Sequence, residues 1–541
     1  MRCNPSPRTA RIARIARIAC IAALALVFAP AAARSQEHQH GAPAVGSAHF
    51  PVACNATAQV RMHTAVAMLH SFWFPEARRA LEAVAAADPG CGIAWWGIAL
   101  THFGNPLAGS GPEAQARAAA AAARAVSIGA RDARDSAYIA AVSTLVRDHA
   151  TVPVRQRMLA YEDALQAIVA AYPDDDEAKI FHALAIVANA PPTDRTYARQ
   201  HAAAQVLTAL YARMPQHPGL AHYLIHAFDA PSLAHHALDA ARQYAAIAPD
   251  APHALHMPSH TFTRLGYWDE SIATNRRSAD AEPIRGAKAH PMDYLVYAYL
   301  QQGREDAARA VVEELGATDE QDYLAGTLGS YNGRAMRARL ALELDDWEAA
   351  MSLPAPDDPP SIAAISHFTR ALGAARAGDL AGAQTANAVL DSTVARLAAA
   401  GDAYWAHTVG AQHRAVSAWI AHLEGRHADA LRLAAGAAEA EDEMEKHPVT
   451  PGPLIPAREL YADILALHGQ HAQALAQYEA VMTKEPNRLR TLHGAARAAL
   501  AAGDRDAAAR HYKAISALVH PESTHPAAAA AVAFARGAAR G

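Results

Sequence analysis

Basic residues, aromatic side chains and cysteines are all scarce in this chain of 541 residues. Lysine and arginine number 48 against 53 acidic residues, and the formal net charge is −5. Without a basic excess the chain cannot gain the counterion release that drives binding to a phosphate backbone, so we expect no nucleic-acid partner. Aromatic residues make up 6% of the chain, but apolar residues make up 52%. That apolar fraction and the small net charge exclude disorder over most of the length.

Alanine supplies much of the apolar fraction, in runs such as 118–123 and 527–531. Because alanine is the strongest helix former and no alternating strand pattern persists, we predict an all-α fold. The length allows about two to four domains or one long repeat array. The composition has one unusual feature, its 30 histidines.

Long hydrophobic runs are absent except near the N-terminus, where one covers residues 18–28. Five arginines precede this run and Ala31, Ala32 and Ala33 follow it. A basic start, a short apolar run and an A-x-A site are typical of a secretory signal peptide, here residues 1–33. An N-terminal anchor is the alternative, but the run is too short to span a membrane comfortably. We therefore predict a periplasmic or secreted protein with no membrane span after signal cleavage.

Two of the four cysteines, Cys3 and Cys20, fall within the predicted signal peptide. The other two, Cys54 and Cys91, form an even pair in a chain predicted to reach an oxidising compartment, where a disulfide is the default. Two soft metal ligands are the alternative, although no second pair completes such a site. We favour the Cys54–Cys91 disulfide, and the chain-entropy model expects it to stabilise the fold by about 3–4 kcal/mol.

Two adjacent segments near the C-terminus, 456–486 and 487–518, repeat a helix–turn–helix pattern. Each has a glycine in its turn, Gly469 and Gly503. Small residues where helices touch, a turn glycine and a closing proline within about 34 residues are typical of the tetratricopeptide repeat. Looser copies extend the pattern to most of residues 55–520. We predict a tetratricopeptide-like solenoid of helical hairpins, wound as a right-handed superhelix with degenerate repeats.

Stretches rich in proline or glycine divide this predicted solenoid. The predicted organisation is a signal peptide at 1–33, a linker at 34–54, an N-terminal solenoid at 55–350, degenerate helical repeats at 361–440, a C-terminal repeat pair at 453–520 and a tail at 521–541.

Five short motifs point to a narrower group of proteins. They are LHSFWF at 69–74, AWWG at 94–97, AHYLIHA at 221–227, HMPSH at 256–260 and HPVTPG at 447–452. With these motifs the chain resembles a group of exported bacterial tetratricopeptide-repeat proteins of unassigned activity. The resemblance implies a fold and a compartment, and it implies no reaction.

Four histidines occupy matching positions in two successive repeats. His222 and His226 are four residues apart and share one face of a helix. A shift of 34 residues leads from them to His256 and His260. Stacked repeats place equivalent positions side by side, about 10 Å apart, so we expect the four imidazoles to converge on the concave surface.

These residue types suit a transition-metal site. Neutral imidazole binds copper, zinc or iron, and a nearby carboxylate such as Asp229 can complete the ligand set. His253, one helical turn before His256, is a further candidate as ligand or as partner of a ligand.

Other histidines are secondary candidates. A second shift of 34 residues reaches His290, whereas an alignment on the turn glycines places Asp293 and Tyr297 at the equivalent positions instead. A separate site near the N-terminus would use His63, His70 and His102.

Two functions from different classes stay open. The first is an exported scaffold whose concave groove binds a protein or peptide, because groove positions of repeats are often polar. The alternative is a histidine-ligated metalloprotein, which could be an enzyme, with its site on the first helices of successive repeats. Buried histidines also serve as hydrogen-bonded core residues, and duplication copies them with their repeat. The sequence has no zinc-protease, nucleophile-elbow or phosphate-loop motif, so it predicts no particular reaction.

Overall fold

The computed structural model describes residues 43–316, 327–355 and 359–538. Within these ranges all regular secondary structure is helical, which confirms the predicted all-α fold. The predicted signal peptide and residues 34–42 of the predicted linker lie outside the described residues. In the described part of the chain, no helix is both long and apolar enough to cross a membrane.

The helices follow one another as hairpins, and each packs against its neighbours in the chain. Their bounds are α1 Ala56–His70, α2 Phe74–Ala87, α3 Gly92–Phe103, α4 Pro112–Ile128, α5 Ala133–Val146, α6 Val154–Ala171, α7 Asp176–Ala188, α8 Ala198–Arg213, α9 Pro218–Ala227, α10 Leu238–Ile247, α11 Pro252–His256, α12 Pro258–Leu265, α13 Trp268–Ala281, α14 Arg285–Gln301, α15 Glu305–Gly316, α16 Thr327–Glu343, α17 Trp347–Ser352, α18 Pro360–Ala377, α19 Leu380–Ala399, α20 Ala403–Leu423, α21 His427–Asp442, α22 Ala457–Leu467, α23 His471–Met482, α24 Leu489–Ala502, α25 Arg505–Leu518 and α26 Pro526–Ala538.

Turn chemistry explains the hairpins. Gly503, directly after α24, has a φ of 82°, a left-handed conformation that favours glycine at the end of a helix. The next residue, Asp504, accepts a hydrogen bond of 2.8 Å from the backbone N–H of Ala507 and so caps α25. Gly378 and Asp379 form the same pair between α18 and α19. A glycine followed by an acid thus ends one helix and begins the next.

Small side chains form much of the contact between hairpins. Alanines such as Ala65, Ala118 and Ala495 are fully buried, which lets neighbouring helices approach closely. The result is the tetratricopeptide-type helical solenoid that the repeats predict.

The last hairpins pack back against the middle of the chain. The indole N–H of Trp268 donates to the carbonyl of Asn487 over 2.9 Å, and the backbone N–H of Leu489 donates to Gln301 Oε1 over 3.0 Å. No local sequence pattern indicates these contacts, because the partners are about two hundred residues apart.

The segments that flank the predicted solenoid are also packed. Phe50, in the predicted linker, is fully buried and stacks on Trp96 with ring centroids 5.0 Å apart. Residues 526–538 of the predicted tail form α26, whose Phe534 stacks on Tyr512. Cys54 and Cys91 are joined as a disulfide with Cα atoms 5.4 Å apart.

Candidate metal centre

Three neighbouring segments carry the histidines of interest: α9, the pair α11–α12, and α14. They are the first helices of three successive hairpins, and α12 contacts both α9 and α14. Pro258, which lacks a backbone N–H, separates α11 from α12. Met257 between them keeps α-helical dihedral angles, and its backbone N–H donates to the carbonyl of His253.

The first cluster, called group A, consists of His222 and His226 on α9 and His253 on α11. His222 Nε2 lies 3.1 Å from His226 Nε2 and 3.2 Å from His253 Nε2. His222 and His226 are buried, and His253 is half-buried.

The second cluster, called group B, consists of His256, His260 and His290. The Nε2 atoms of His256 and His260 lie 3.1 Å apart on either side of Pro258. One ring nitrogen from each of the three residues lies within 4.8 Å of the other two. All three side chains are buried, and Nδ1 of His290 has no hydrogen-bond partner.

Hydrogen bonds at Nδ1 fix the tautomer in both groups. His222 Nδ1 donates to the backbone carbonyl of His70 over 2.7 Å, and a carbonyl can only accept. His260 Nδ1 donates to Asp229 Oδ2 over 2.9 Å. With the proton on Nδ1, each of these neutral rings has an unshared electron pair on Nε2.

His256 is fixed in the same way. Its Nδ1 donates to Asn275 Oδ1 over 2.7 Å. The orientation of that amide is set because Asn275 Nδ2 donates to the carbonyl of Ser271 over 2.7 Å. The unshared pairs of His256 Nε2 and His260 Nε2 therefore face each other in a buried place.

Protonation does not relieve this repulsion near neutral pH. Burial lowers the pKa of His222, His226, His253 and His256 well below the ordinary value, and neighbouring imidazoles lower it further. Burial and the nearby His260 lower the pKa of His290 to about 3. The rings are neutral at pH 7, which is the form that binds a metal.

Asp229 stands beside group B and is fully engaged. Its carboxylate accepts from His260 Nδ1, from Arg264 Nε over 2.9 Å and from Lys446 Nζ over 3.3 Å. Burial opposes its ionisation, but Lys446 and Arg264 outweigh burial and hold the pKa of Asp229 well below its ordinary value. In the structure Asp229 therefore orients His260 as its hydrogen-bond partner. The sequence predicted Asp229 as a metal ligand, but it belongs to neither group A nor group B.

The four histidines expected to meet at one point are divided between two points. Each group combines a pair spaced by four residues, on α9 or across α11–α12, with a third histidine from the next hairpin, His253 or His290. The groups are adjacent, since the rings of His226 and His260 have centroids 5.9 Å apart. A cavity of about 270 Å³ is lined by five of the six histidines: His226, His253, His256, His260 and His290.

Residues 443–456, called the crossing loop, pass over this region. The backbone N–H of Glu445 donates to the carbonyl of Pro192, and Tyr294 Oη donates to the carbonyl of Thr450 over 3.2 Å. Arg339 Nη1 donates to the carbonyl of Pro453 over 2.7 Å. Pro448 and Val449 of the loop line the same cavity as the histidines. The loop is thus tied to helices far apart in sequence.

The N-terminal histidine candidates do not form a common cluster among the described residues. His63 Nδ1 accepts from the backbone N–H of Phe50 over 3.0 Å. His70 instead bonds to Glu177 and Tyr223. His102 is half-buried near Arg78 and Arg117.

Two further histidine clusters were missed by pattern analysis. Glu177 accepts from His70 Nε2 over 2.8 Å and from His217 Nε2 over 3.1 Å, and the helices concerned are far apart in sequence. A half-exposed cluster, called the surface triad, is formed by His422, His427 and His468. The three histidines of the surface triad follow no regular spacing in the sequence. The large number of histidines in the chain was therefore the one sequence signal that could have indicated this cluster.

The chain matches no protein-family model, and no curated protein sequence is similar to it. Among solved structures it is similar to a tetratricopeptide repeat protein from Parabacteroides merdae, with 15% identity, 53% of this chain and 97% of that chain covered, and a TM-score of 0.28. It is also similar to the human IFIT1 dimer with m7Gppp-AAAA, with 10% identity, 79% and 90% coverage and a TM-score of 0.40. It is similar as well to yeast Tom70, with 10% identity, 89% of this chain and 96% of that chain covered, and a TM-score of 0.29. At these identities the likeness concerns the fold alone, and the stacked hairpins described above are of the tetratricopeptide-repeat type.

Proposed function

We propose that this protein is a metalloprotein that holds two transition-metal ions side by side, one in group A and one in group B. The observation that carries the proposal is the pair of Nε2 atoms of His256 and His260. Both have an unshared electron pair, both are buried, and they lie 3.1 Å apart. A cation between them turns this repulsion into two bonds.

The geometry agrees with such a cation. Two nitrogens 3.1 Å apart subtend about 100° at an ion bonded to each at about 2.0–2.1 Å, which lies between square and tetrahedral coordination. His226 and His222 have the same separation in group A. In both groups the i, i+4 pair therefore meets the first requirement of a metal site without movement of the backbone.

The donor set favours copper or zinc. Both groups offer imidazole nitrogen, which suits copper, zinc, iron and nickel. Non-haem iron sites usually add a carboxylate, and the nearest one, Asp229, is engaged by His260, Arg264 and Lys446. Iron is therefore the least favoured of the three metals named from the sequence.

Elemental analysis tests the proposal. The protein is produced in a periplasm, purified without chelator or affinity histidines, and its melting curve is followed by circular dichroism. We expect about two ions per chain, one fewer in His222→Ala, one fewer in His260→Ala, and none in the double variant.

The surface triad supplies the control. His427 is exposed and belongs to neither group A nor group B, so His427→Ala should leave the tightly bound count unchanged. A folded wild-type protein that binds no ion, even after incubation with copper or zinc, would contradict the proposal. An ion count that falls only in His427→Ala would assign the metal to the surface triad instead.

A second proposed function is the binding of a protein or peptide in the concave groove. A cavity of about 120 Å³ beside the crossing loop favours this role. It is lined by the aromatic side chains of Tyr404 and Trp405 and by the polar side chain of Gln412, which suit apolar and polar contacts with a polypeptide. A photo-crosslinking residue at Gln412 should capture one defined polypeptide, and Trp405→Ala should weaken the capture. Labelling that Trp405→Ala does not change would contradict this role.

We also propose that the chain is exported before it loads metal. Two features support export to the periplasm or the exterior. They are the basic and apolar N-terminus and the Cys54–Cys91 disulfide. Mass spectrometry of the periplasmic protein should find an N-terminus close to Ala33. Retention of the full-length chain in the cytoplasm would contradict export.

A further inference from the structure

The cavity beside groups A and B has a composition that points to a class of ligand. This step rests on the proposed metal pair. Three nitrogen ligands leave at least one coordination position open on each ion. Histidines of both groups line the cavity, so a molecule inside it can reach open positions on both ions.

One wall of the cavity is aromatic and is formed by Phe72, Trp73 and Phe74, where α1 turns into α2. The ring of Phe72 stacks on that of His253 with centroids 5.4 Å apart, and it meets His222 edge-on at 4.4 Å. Phe72 has a φ of 52°, which is uncommon for a bulky residue. The turn thus holds an aromatic ring against group A in a conformation that packing must maintain.

The other walls are mainly apolar and include Met257, Ile284 and Val449. The charged lining residues are already engaged. Glu76 pairs with the exposed Arg79, and Glu282 accepts from the backbone N–H of Ile284 over 2.9 Å. The lining side chains therefore do not specify the charge of a ligand, and the apolar walls favour a largely apolar one.

We propose that this cavity binds a small aromatic molecule that presents one nitrogen or oxygen donor to the metal pair. The ring packs against Phe72, Trp73 and Phe74, and the donor atom reaches an open coordination position. A volume of about 270 Å³ lies just below the range of typical ligand pockets, about 300–1,000 Å³. The ligand is accordingly a molecule of one or two rings.

Imidazole and 4-phenylimidazole serve as probes, because both offer one nitrogen donor and only the second adds an aromatic ring. The copper(II)-loaded protein is titrated with each, and the copper absorption bands report binding. We expect 4-phenylimidazole to bind at least tenfold more tightly. Trp73→Ala should reduce this preference several-fold while the affinity for imidazole stays the same.

A blocking variant tests whether the cavity is the binding place. Ala287 on α14 lines the cavity, so Ala287→Trp should reduce binding of both probes at least tenfold. Arg285→Trp is the matched control, because Arg285 is exposed on the same helix and does not line the cavity. Metal content and the melting curve are measured for every sample.

The outcomes separate this inference from the proposed function. Two bound ions together with equal affinity for both probes, or an unchanged affinity in Ala287→Trp, would overturn the aromatic-ligand assignment and leave the metal pair intact. Absence of metal from a folded wild-type protein would overturn both.

Discussion

The hydrogen-bond partner of each Nδ1 decides what the opposite nitrogen of the ring can do. His222, His256 and His260 each donate from Nδ1, to a backbone carbonyl, an amide oxygen and a carboxylate respectively. Each partner orients its ring and leaves Nε2 as an acceptor. These hydrogen bonds connect group A with the cluster around Glu177. The carbonyl that accepts from His222 belongs to His70, and the ring of His70 donates to Glu177.

The first prediction at this scale concerns Asp229. Asp229→Asn removes the charge that orients His260, and partners of this kind typically alter metal affinity 10- to 100-fold. We expect competition with a chelator to show weaker metal binding by about this factor in group B, with group A unchanged. Equal affinities in wild type and variant would show that Asp229 does not position His260.

Glu177 provides a second prediction. It is buried and accepts hydrogen bonds from His70 and His217. Burial raises its pKa, but His217 and His70 outweigh burial and lower it overall. Glu177→Ala leaves buried donors without a partner, so the free energy of unfolding should fall by about 3 kcal/mol in urea titrations. A change below about 0.5 kcal/mol would mean that water replaces the carboxylate.

Glu441 gives a pH-dependent prediction. Burial raises its pKa to about 8, so the folded protein keeps a proton that the unfolded chain loses above about pH 4.5. Stability from this group therefore falls as the pH rises from about 4.5 to 8. Glu441→Gln, which can still accept from the backbone N–H of Ala457, should raise the free energy of unfolding by about 2 kcal/mol at pH 8 and hardly at pH 5. An equal gain in the free energy of unfolding at pH 5 and at pH 8 would show that Glu441 does not titrate between these pH values.

At the scale of helices, the position of α12 between α9 and α14 sets the two groups. His253 joins the pair on α9, while His256 and His260 join His290 on α14. The break at Pro258 falls between His256 and His260, so it does not separate the groups. The 34-residue register places an i, i+4 pair in each group, and Met257 keeps a helical backbone between His256 and His260 although Pro258 separates α11 from α12. The third member of each group depends on the helix that packs alongside, which no spacing specifies.

At the scale of the whole molecule, the packing of α24 against the middle hairpins adds long-range contacts to an array of local ones. Arg488 is buried and bonds to Glu459 over 2.8 Å and to Glu343, and these residues lie on different hairpins. The crossing loop makes similar long-range contacts through Arg339 and Thr450. The surroundings of group B are therefore built from distant parts of the chain.

Removal of Arg488 should weaken these long-range contacts. Arg488→Ala takes the ion-pair partner from the buried Glu343, whereas the buried Glu459 keeps Thr491 and Arg490. Loss of one buried partner costs about 3–5 kcal/mol. We expect a lower denaturation midpoint together with faster hydrogen exchange in α16, which ends at Glu343, and in α24. Arg505→Ala, at an exposed position on α25, is the control and should change neither. Exchange that accelerates only in α24 would show that the contact does not stabilise the middle hairpins.

The sequence by itself determined what depends on neighbours along the chain. Alanine content specified helices, turn glycines such as Gly469 and Gly503 specified the turns, and the four-residue spacing put His222 with His226 and His256 with His260 on common faces. Only the tertiary structure decided how these faces meet: the division into two groups, the recruitment of His253 and His290, the position of Asp229 beside His260, and the path of the crossing loop. These features depend on contacts between residues about 30 positions apart or, for the crossing loop, more than 100 positions apart, and local propensity carries no information about such contacts.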